Sequence, residues 1–261
     1  KLLYDLGYVH TDEPFSKLIN QGMILGEDNQ KMSKSRGNVV NPDTVIEQYG
    51  ADSMRLYEMF MGPLEASKPW QMSGVEGVHR FLGKVWRAVI DQETGDVCQE
   101  VKDAEMDEET QRLMHQTIKK VGGDIEEFAF NTAISQMMIF TNHLGKLKIR
   151  PREAVEKLVQ VLCPLAPHMC EELWEKLGHT EQLAYQPWPE YDEELVKEKE
   201  VELAVQVMGK IKDRIVAAAD ASEDEVKEKA LASEKVQAAI EGKTIRKVIV
   251  IKSRLVNIVA N

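Results

Sequence analysis

The stretch NQKMSKSRGN, residues 29–38, sets two lysines, two serines, an arginine and a glycine between apolar runs, in a chain of net charge -11. Before it, GMIL (residues 22–25) reads as a short buried strand. After it, NPDTVIEQYG is a helix with legible ends. Asn41 can cap it, Pro42 fits the first helical position, Asp43 suits the positive end of the dipole, and Gly50 stops it. ADSMRLYEMFMG gives a second helix, closed by Gly62 and Pro63. The basic segment therefore hangs between a strand and a capped helix, where rigid elements can hold a mobile loop near a site. Lys31 and Lys34 stand three residues apart, Ser33 and Ser35 add hydroxyls, and Gly37 frees the backbone. Such a set can wrap a polyphosphate. It is not a P-loop, because GxxxxGK[ST] is missing. Taken alone, a K-x-x-K cluster is more often a solvated basic turn.

Working outward, residues 1–7 look like the end of a helix stopped by Gly7, and residues 15–20 like a short apolar segment. From residue 73 to 195 the pattern is helical. SGVEGVHRFLGKVWRAVI carries a broad apolar stripe at Val75, Val78, Phe81, Leu82, Val85, Trp86 and Val89. Two further helical stretches follow an acidic connection, with Pro164 and Pro167 as breaks. Only VQVLCPLAP is apolar throughout, so it is expected to cross the core of an antiparallel bundle. The Met-rich SQMMIF reads as core filling. After YQPWPEYDEELVKEKE, a linker, the pattern changes. VELAVQV and KIKDRIVA alternate around Met208 and Gly209, a hairpin. SEDEVKEKALASEKVQAAIEG is helical, with Ser222 and Glu225 as a capping box and Gly242 as its stop. IRKVIVI and RLVNIVA are β-rich. The expectation is a mainly α, multidomain chain. Residues 1–65 would be the segment that carries the basic loop, residues 66–198 the helical bundle, and residues 199–261 a small ββαββ α/β domain.

Composition bounds the function. The 261 residues are 43% hydrophobic and 30% charged, as a folded globular chain requires. No apolar run approaches the ~20 residues of a transmembrane helix, and no signal peptide is visible. The sequence opens without Met inside a helix-like stretch, which suggests a fragment or a processed chain. Cys98, Cys163 and Cys170 have no framework spacing and point to a reducing, cytoplasmic setting. Cys163, His168 and Cys170 lack a CxxC pair and a fourth partner, so burial is favoured over metal binding. Acidity is concentrated in residues 91–198, with 11 Lys/Arg against 23 Asp/Glu; residues 199–261 carry 12 against 10. That distribution excludes a nucleic-acid binder working by bulk charge, yet leaves room for local basic contacts.

KMSKS, residues 31–35, after a buried strand resembles the signature loop of class I aminoacyl-tRNA synthetases. GMILGEDNQKMSKSRGNVVNPDTVIEQYGADSMRLYEMFMGPLEASKPWQMSGVEGVHRFLGKVWR is similar throughout to the bacterial leucyl-tRNA synthetases. So are PLAPHMCEELWEKLG, QPWPEYDEEL and the closing IEGKTIRKVIVIKSRLVNIVAN. The likeness spans the chain, as the C-terminal third of such an enzyme. It implies a Rossmann-type catalytic domain end, an anticodon-binding-like bundle and a tRNA-binding C-terminal domain. The implied reaction joins leucine to tRNA(Leu) at the expense of ATP, with Mg2+ accompanying the nucleotide. Leucine would be held by an N-terminal half that this chain lacks, and the isolated piece would be inactive. The resemblance makes Lys34, then Lys31, catalytic, places ATP on Lys31, Met32, Ser33, Lys34 and Ser35, and makes Gly37 a hinge. It nominates Lys210, Lys212, Arg214, Lys243, Arg246, Lys247, Lys252 and Arg254 for tRNA. The chain departs from the family's QVNGK by carrying Met208. It also has IKSR, residues 251–254, where a Pro-Gly turn is usual.

Several residues have two readings. Met32 either meets adenine or packs under the loop, and Arg36 either touches phosphate or is solvated. Asp52 and Arg55, three apart on one helix, read as a structural ion pair. Trp70 and Trp86 read as core, and His79, His143 and His168 carry no assignment. Two rivals remain for the whole: a non-catalytic tRNA-binding subunit, and a valyl or isoleucyl type of ligase.

Overall fold

The computed structural model describes residues 1–197, 200–218, 221–251 and 255–261. They gather into two compact units, Lys1–Asp192 and Glu193–Asn261.

The first unit begins with one helical turn, α1 (Leu2–Asp5), followed by Gly7 in the left-handed region at φ 75°. Residues 15–20, read from the sequence as a short apolar segment, come next. They form no regular element, and Phe15 and Leu18 are 84% and 83% exposed. An apolar run gains regular structure only where another strand or face packs on it, and the described residues offer this run none. β1 (Ile24–Leu25) pairs in parallel with β2 (Lys68–Pro69). The backbones approach so closely that a side chain on Gly22 would stand 2.2 Å from the Ala66 carbonyl carbon.

Between the two strands lie α2 (Pro42–Tyr49) and α3 (Ala51–Phe60). Asn41 caps α2 by accepting from the Asp43 N–H at 3.1 Å, and Gly50, at φ 85°, separates the helices. The bundle continues through α4 (Met72–Val89), β3 (Val101–Lys102), α5 (Glu108–Glu126) and α6 (Phe130–Leu144). β4 (Arg150–Pro151), paired with β3, leads into α7 (Arg152–Leu162) and α8 (Pro167–Lys176). The stripe of α4 is buried as its spacing predicts except at Trp86, which is half-buried against the core, and the α7–α8 connection does cross the core, with Leu162, Cys163, Leu165 and Ala166 all buried. Met137 fills core volume, and Trp70 is buried edge-on against Tyr57, ring centroids 4.9 Å apart. All three cysteines are free and buried. Burial pushes the Cys163 thiol up to about 11 and that of Cys170 well above its usual value, so neither is a ready nucleophile.

The expected Asp52–Arg55 ion pair does not form. Asp52 turns instead to α8, where it accepts the Met169 N–H at 2.7 Å and bonds His168 Nδ1 at 2.8 Å. Arg55 donates to the Pro164 carbonyl at 3.0 Å. The open N-terminal amides of α8 supply a better partner for a buried carboxylate than a surface guanidinium does. Both side chains thereby fasten α3 to the α7–α8 corner.

The second unit starts with α9 (Glu193–Val196) and the hairpin of β5 (Glu200–Val207) and β6 (Lys210–Ala218). Met208 (φ 51°) and Gly209 (φ 77°) form its two-residue turn, the left-handed pair that matches strand twist. The expected single helix is two: α10 (Glu223–Ala232) and α11 (Glu234–Ile240). Ser222 and Glu225 make the capping box of α10. Ser233 breaks the helix because its side chain accepts the Val236 N–H and donates to Asp213 at 2.6 Å. β7 (Ile245–Ile251) and β8 (Leu255–Ala260) complete a four-stranded sheet of order β6-β5-β8-β7, with β5 and β8 parallel. The unit is thus ββααββ, its core made by Val205, Val207, Val256 and Ile258 beneath Val226, Ala230 and Val236. No helix among the described residues is long and apolar enough to cross a membrane.

Candidate functional site

The basic loop grows out of β1 through a tight turn. The Gly26 N–H donates to the Gln30 carbonyl and the Asn29 N–H to the Gly26 carbonyl, both at 2.9 Å, with Asn29 left-handed at φ 59°. Lys31 then bridges back to Leu25, so its backbone is fixed while its side chain is exposed. Met32 is half-buried and packs on the main core, as does Val40 at the far limb. Ser33 opens a single 3-10 turn, Lys34–Arg36, which ends at Gly37 in the left-handed region at φ 70°. A residue with a Cβ would be strained there. The Ser33 and Ser35 hydroxyls lie 3.2 Å apart, and Arg36 donates to Gln30 Oε1 at 3.3 Å. Lys34 is exposed, and neither lysine ammonium has a carboxylate partner among the described residues. Lys31 thus sits on the bridge that leads into the turn and Lys34 on the turn itself, two exposed cationic groups without a carboxylate partner among the described residues.

Two residues that sequence reasoning passed over organise this turn. Asn38 Oδ1 accepts the Ser33 N–H at 2.9 Å. Its Nδ2 donates to both Asp28 carboxylate oxygens at 3.1 Å and reaches the Lys31 carbonyl at 3.4 Å. The Asp28 carboxyl is held below its usual value, first by the Asn38 amide and next by the Gln30 N–H. The signal was present, since Asp and Asn are residues that bond nearby backbone in turns.

The eight basic residues nominated for RNA fare differently. Lys210, Lys212 and Lys247 are exposed. Arg214 is paired with Glu202 at 2.8 Å, Lys243 donates to the Ala239 carbonyl, and Arg246 donates to Asn261 Oδ1. Lys252 and Arg254 lie outside the described residues. Residues 193–261 contain no Phe, Tyr, Trp or His. No group of three His, Cys, Asp or Glu able to hold a metal occurs among the described residues.

Comparison with known proteins identifies the family. Residues 107–228 match the family described as anticodon-binding domain of tRNA ligase, and residues 7–68 match tRNA synthetases class I (I, L, M and V). Among solved structures, the chain resembles the LeuRS of the ternary LeuRS-tRNA-LeuAMS complex from Agrobacterium radiobacter K84. Identity is 32% and the TM-score 0.74, over 100% of this chain and 35% of that one. This chain thus spans about a third of that enzyme's length. A methionyl-tRNA synthetase from Mycobacterium tuberculosis, in complex with methionyl-adenylate, is 15% identical over 61% of this chain and 38% of that one, with a TM-score of 0.48. It is too distant for any residue to be carried across. Matching class I and anticodon-binding segments, joined by a likeness that runs the whole length, place the chain in the class I aminoacyl-tRNA synthetases, as a leucyl-tRNA synthetase fragment.

Proposed function

We propose that the chain is the C-terminal third of a cytoplasmic leucine-tRNA ligase and supplies its phosphate-stabilising loop and tRNA-binding surfaces. The observation that carries this reading is the pair of unpartnered, exposed lysines on a turn braced by β1 and α2. In the first step the leucine carboxylate bonds to the α-phosphorus of ATP and the bond to the β-phosphate oxygen breaks. Negative charge builds on the departing pyrophosphate. Lys34 and, behind it, Lys31 neutralise that charge, while the Ser33 and Ser35 hydroxyls and the loop N–H groups hold phosphate oxygens. Gly37 lets the 3-10 turn swing over the nucleotide and back. In the second step the 3′-terminal hydroxyl of tRNA(Leu) attacks the leucyl carbonyl and AMP leaves. Residues 66–198 grip the tRNA, and residues 199–261 touch it through Lys210, Lys212 and Lys247. With no aromatic ring in that last segment, those contacts are to phosphate and sugar rather than stacked bases.

In the complete ligase, Lys34→Ala is expected to slow ATP–pyrophosphate exchange by about 10²-fold, equivalent to ~3 kcal/mol, with Lys31→Ala next in severity. Exchange at the normal rate in both variants overturns the assignment. Aminoacylation fixes the amino acid: an enzyme that accepts valine well and leucine poorly is not the one described.

A further inference from the structure

The Asn38 side chain joins the two limbs of the basic loop. It takes the Ser33 N–H on one side and gives its own amide protons to Asp28 and the Lys31 carbonyl on the other. Residues 31 and 33 are thereby fixed at their backbones, whereas among the described residues the exposed turn from Lys34 to Gly37 is tied down by its own 3-10 bonds, the Ser33–Ser35 hydroxyl contact and the Arg36–Gln30 contact. We propose that Asp28 and Asn38 form a latch that positions the basic loop for phosphate, a role that rests on reading that loop as the pyrophosphate clamp.

Two physical effects follow from the latch. A loop whose base is already ordered meets the nucleotide without first losing backbone freedom. The Asn38 amide, the Gln30 N–H and the nearby Arg36 also satisfy the Asp28 carboxylate, with its charge retained. Asp28 is thus kept from pairing with Lys31 or Lys34, whose ammonium groups stay available. The side-chain amide suits position 38 because it accepts from Ser33 through its oxygen while its nitrogen donates to Asp28 and to the Lys31 carbonyl. An aspartate there would set a second carboxylate against the first, and an alanine would leave both partners to water.

The test uses the complete ligase. Asn38→Ala is expected to lower kcat for ATP–pyrophosphate exchange about tenfold, leaving KM for leucine and the thermal midpoint as they are. Asn38→Asp should do at least as much harm. Exchanging the pair, Asp28→Asn with Asn38→Asp, should restore most of the rate, because the new Asn can donate to the new Asp, which still accepts from Ser33. In the 261-residue chain, hydrogen exchange at the Ser33 amide should speed up in Asn38→Ala. Lys34→Ala, run beside these variants, separates the two failures. If Lys34→Ala exchanges normally, the reading of the loop falls and the latch falls with it. If Lys34→Ala is crippled while Asn38→Ala and Asn38→Asp exchange at the parental rate, the latch alone is wrong. A swapped pair no better than Asn38→Asp also refutes it.

Discussion

Replacing Asp52 by alanine would cut the tie between α3 and α8. Asp52 is 8% exposed, and its two oxygens serve the first turn of α8 through Met169 N–H and His168 Nδ1. Losing an acceptor at a helix start costs ~0.5–2 kcal/mol, and a buried N–H left unpaired costs ~1–3 kcal/mol. The two overlap, so the expected loss is about 2–3 kcal/mol. At ~2–4 °C per kcal/mol for a unit of this size, the midpoint should fall by about 5–10 °C. Fluorescence is the assay of choice, because Trp70, Trp86, Trp174 and Trp188 all lie within residues 1–192 and report on the first unit alone. Asp52→Asn keeps an acceptor without the charge and should cost about half as much. His168→Ala should cost little, since that side chain is 74% exposed. The reasoning fails if Asp52→Ala melts with the parent. It also fails if His168→Ala is equally damaging, which would move the stabilisation from the helix cap to the side-chain pair.

Two further outcomes are expected. Gly74→Ala, in the first turn of α4, would set a Cβ 2.3 Å from Tyr57 Cε2; the buried ring, held against Trp70 and by the Gln71 N–H, cannot retreat. The usual helical gain of ~1 kcal/mol from such a change should become a loss of about 1–3 kcal/mol, and a raised tryptophan-detected midpoint would contradict this. For the second unit, Asp213 is held down to about 2 by the Ser233 hydroxyl, then Lys235 and the Arg214 N–H. A depressed carboxyl stabilises the fold fully above about pH 4 and loses that contribution as pH falls through about 2. Asp213→Asn should therefore weaken β6 and α11 near neutral pH yet flatten their acid sensitivity, followed through their amide NMR signals. Identical acid profiles for parent and variant would refute the linkage.

What the sequence disclosed was mostly local. The Asn41 cap, the Met208–Gly209 turn and the Ser222–Glu225 box each depend on residues within a few positions, and each formed as its spacing predicts. The stripe of α4 was legible because burial imposes a helical period on a long segment. Asp52 was misread because its true partners lie 116 and 117 residues away, while Arg55 was close in sequence only. The break at Ser233 escaped notice because Asp213, twenty residues off on a strand, holds that hydroxyl. In the candidate site the lysines announced themselves by charge. Asp28 and Asn38 did not, since which polar groups in a loop join hands is settled by its three-dimensional path.

One apolar cluster runs without interruption from Val45 in α2 and Leu56 in α3 to Leu162 in α7 and Leu173 in α8, and Met32 and Val40 rest on it. The apolar cluster on which Met32 and Val40 rest is therefore continuous with helices that come more than a hundred residues later in the chain. A damaging substitution far down the bundle and a damaging one beside the lysines would look alike in a survey of inactive variants. Distance along the polymer is consequently a poor guide to which positions share a core with the basic loop.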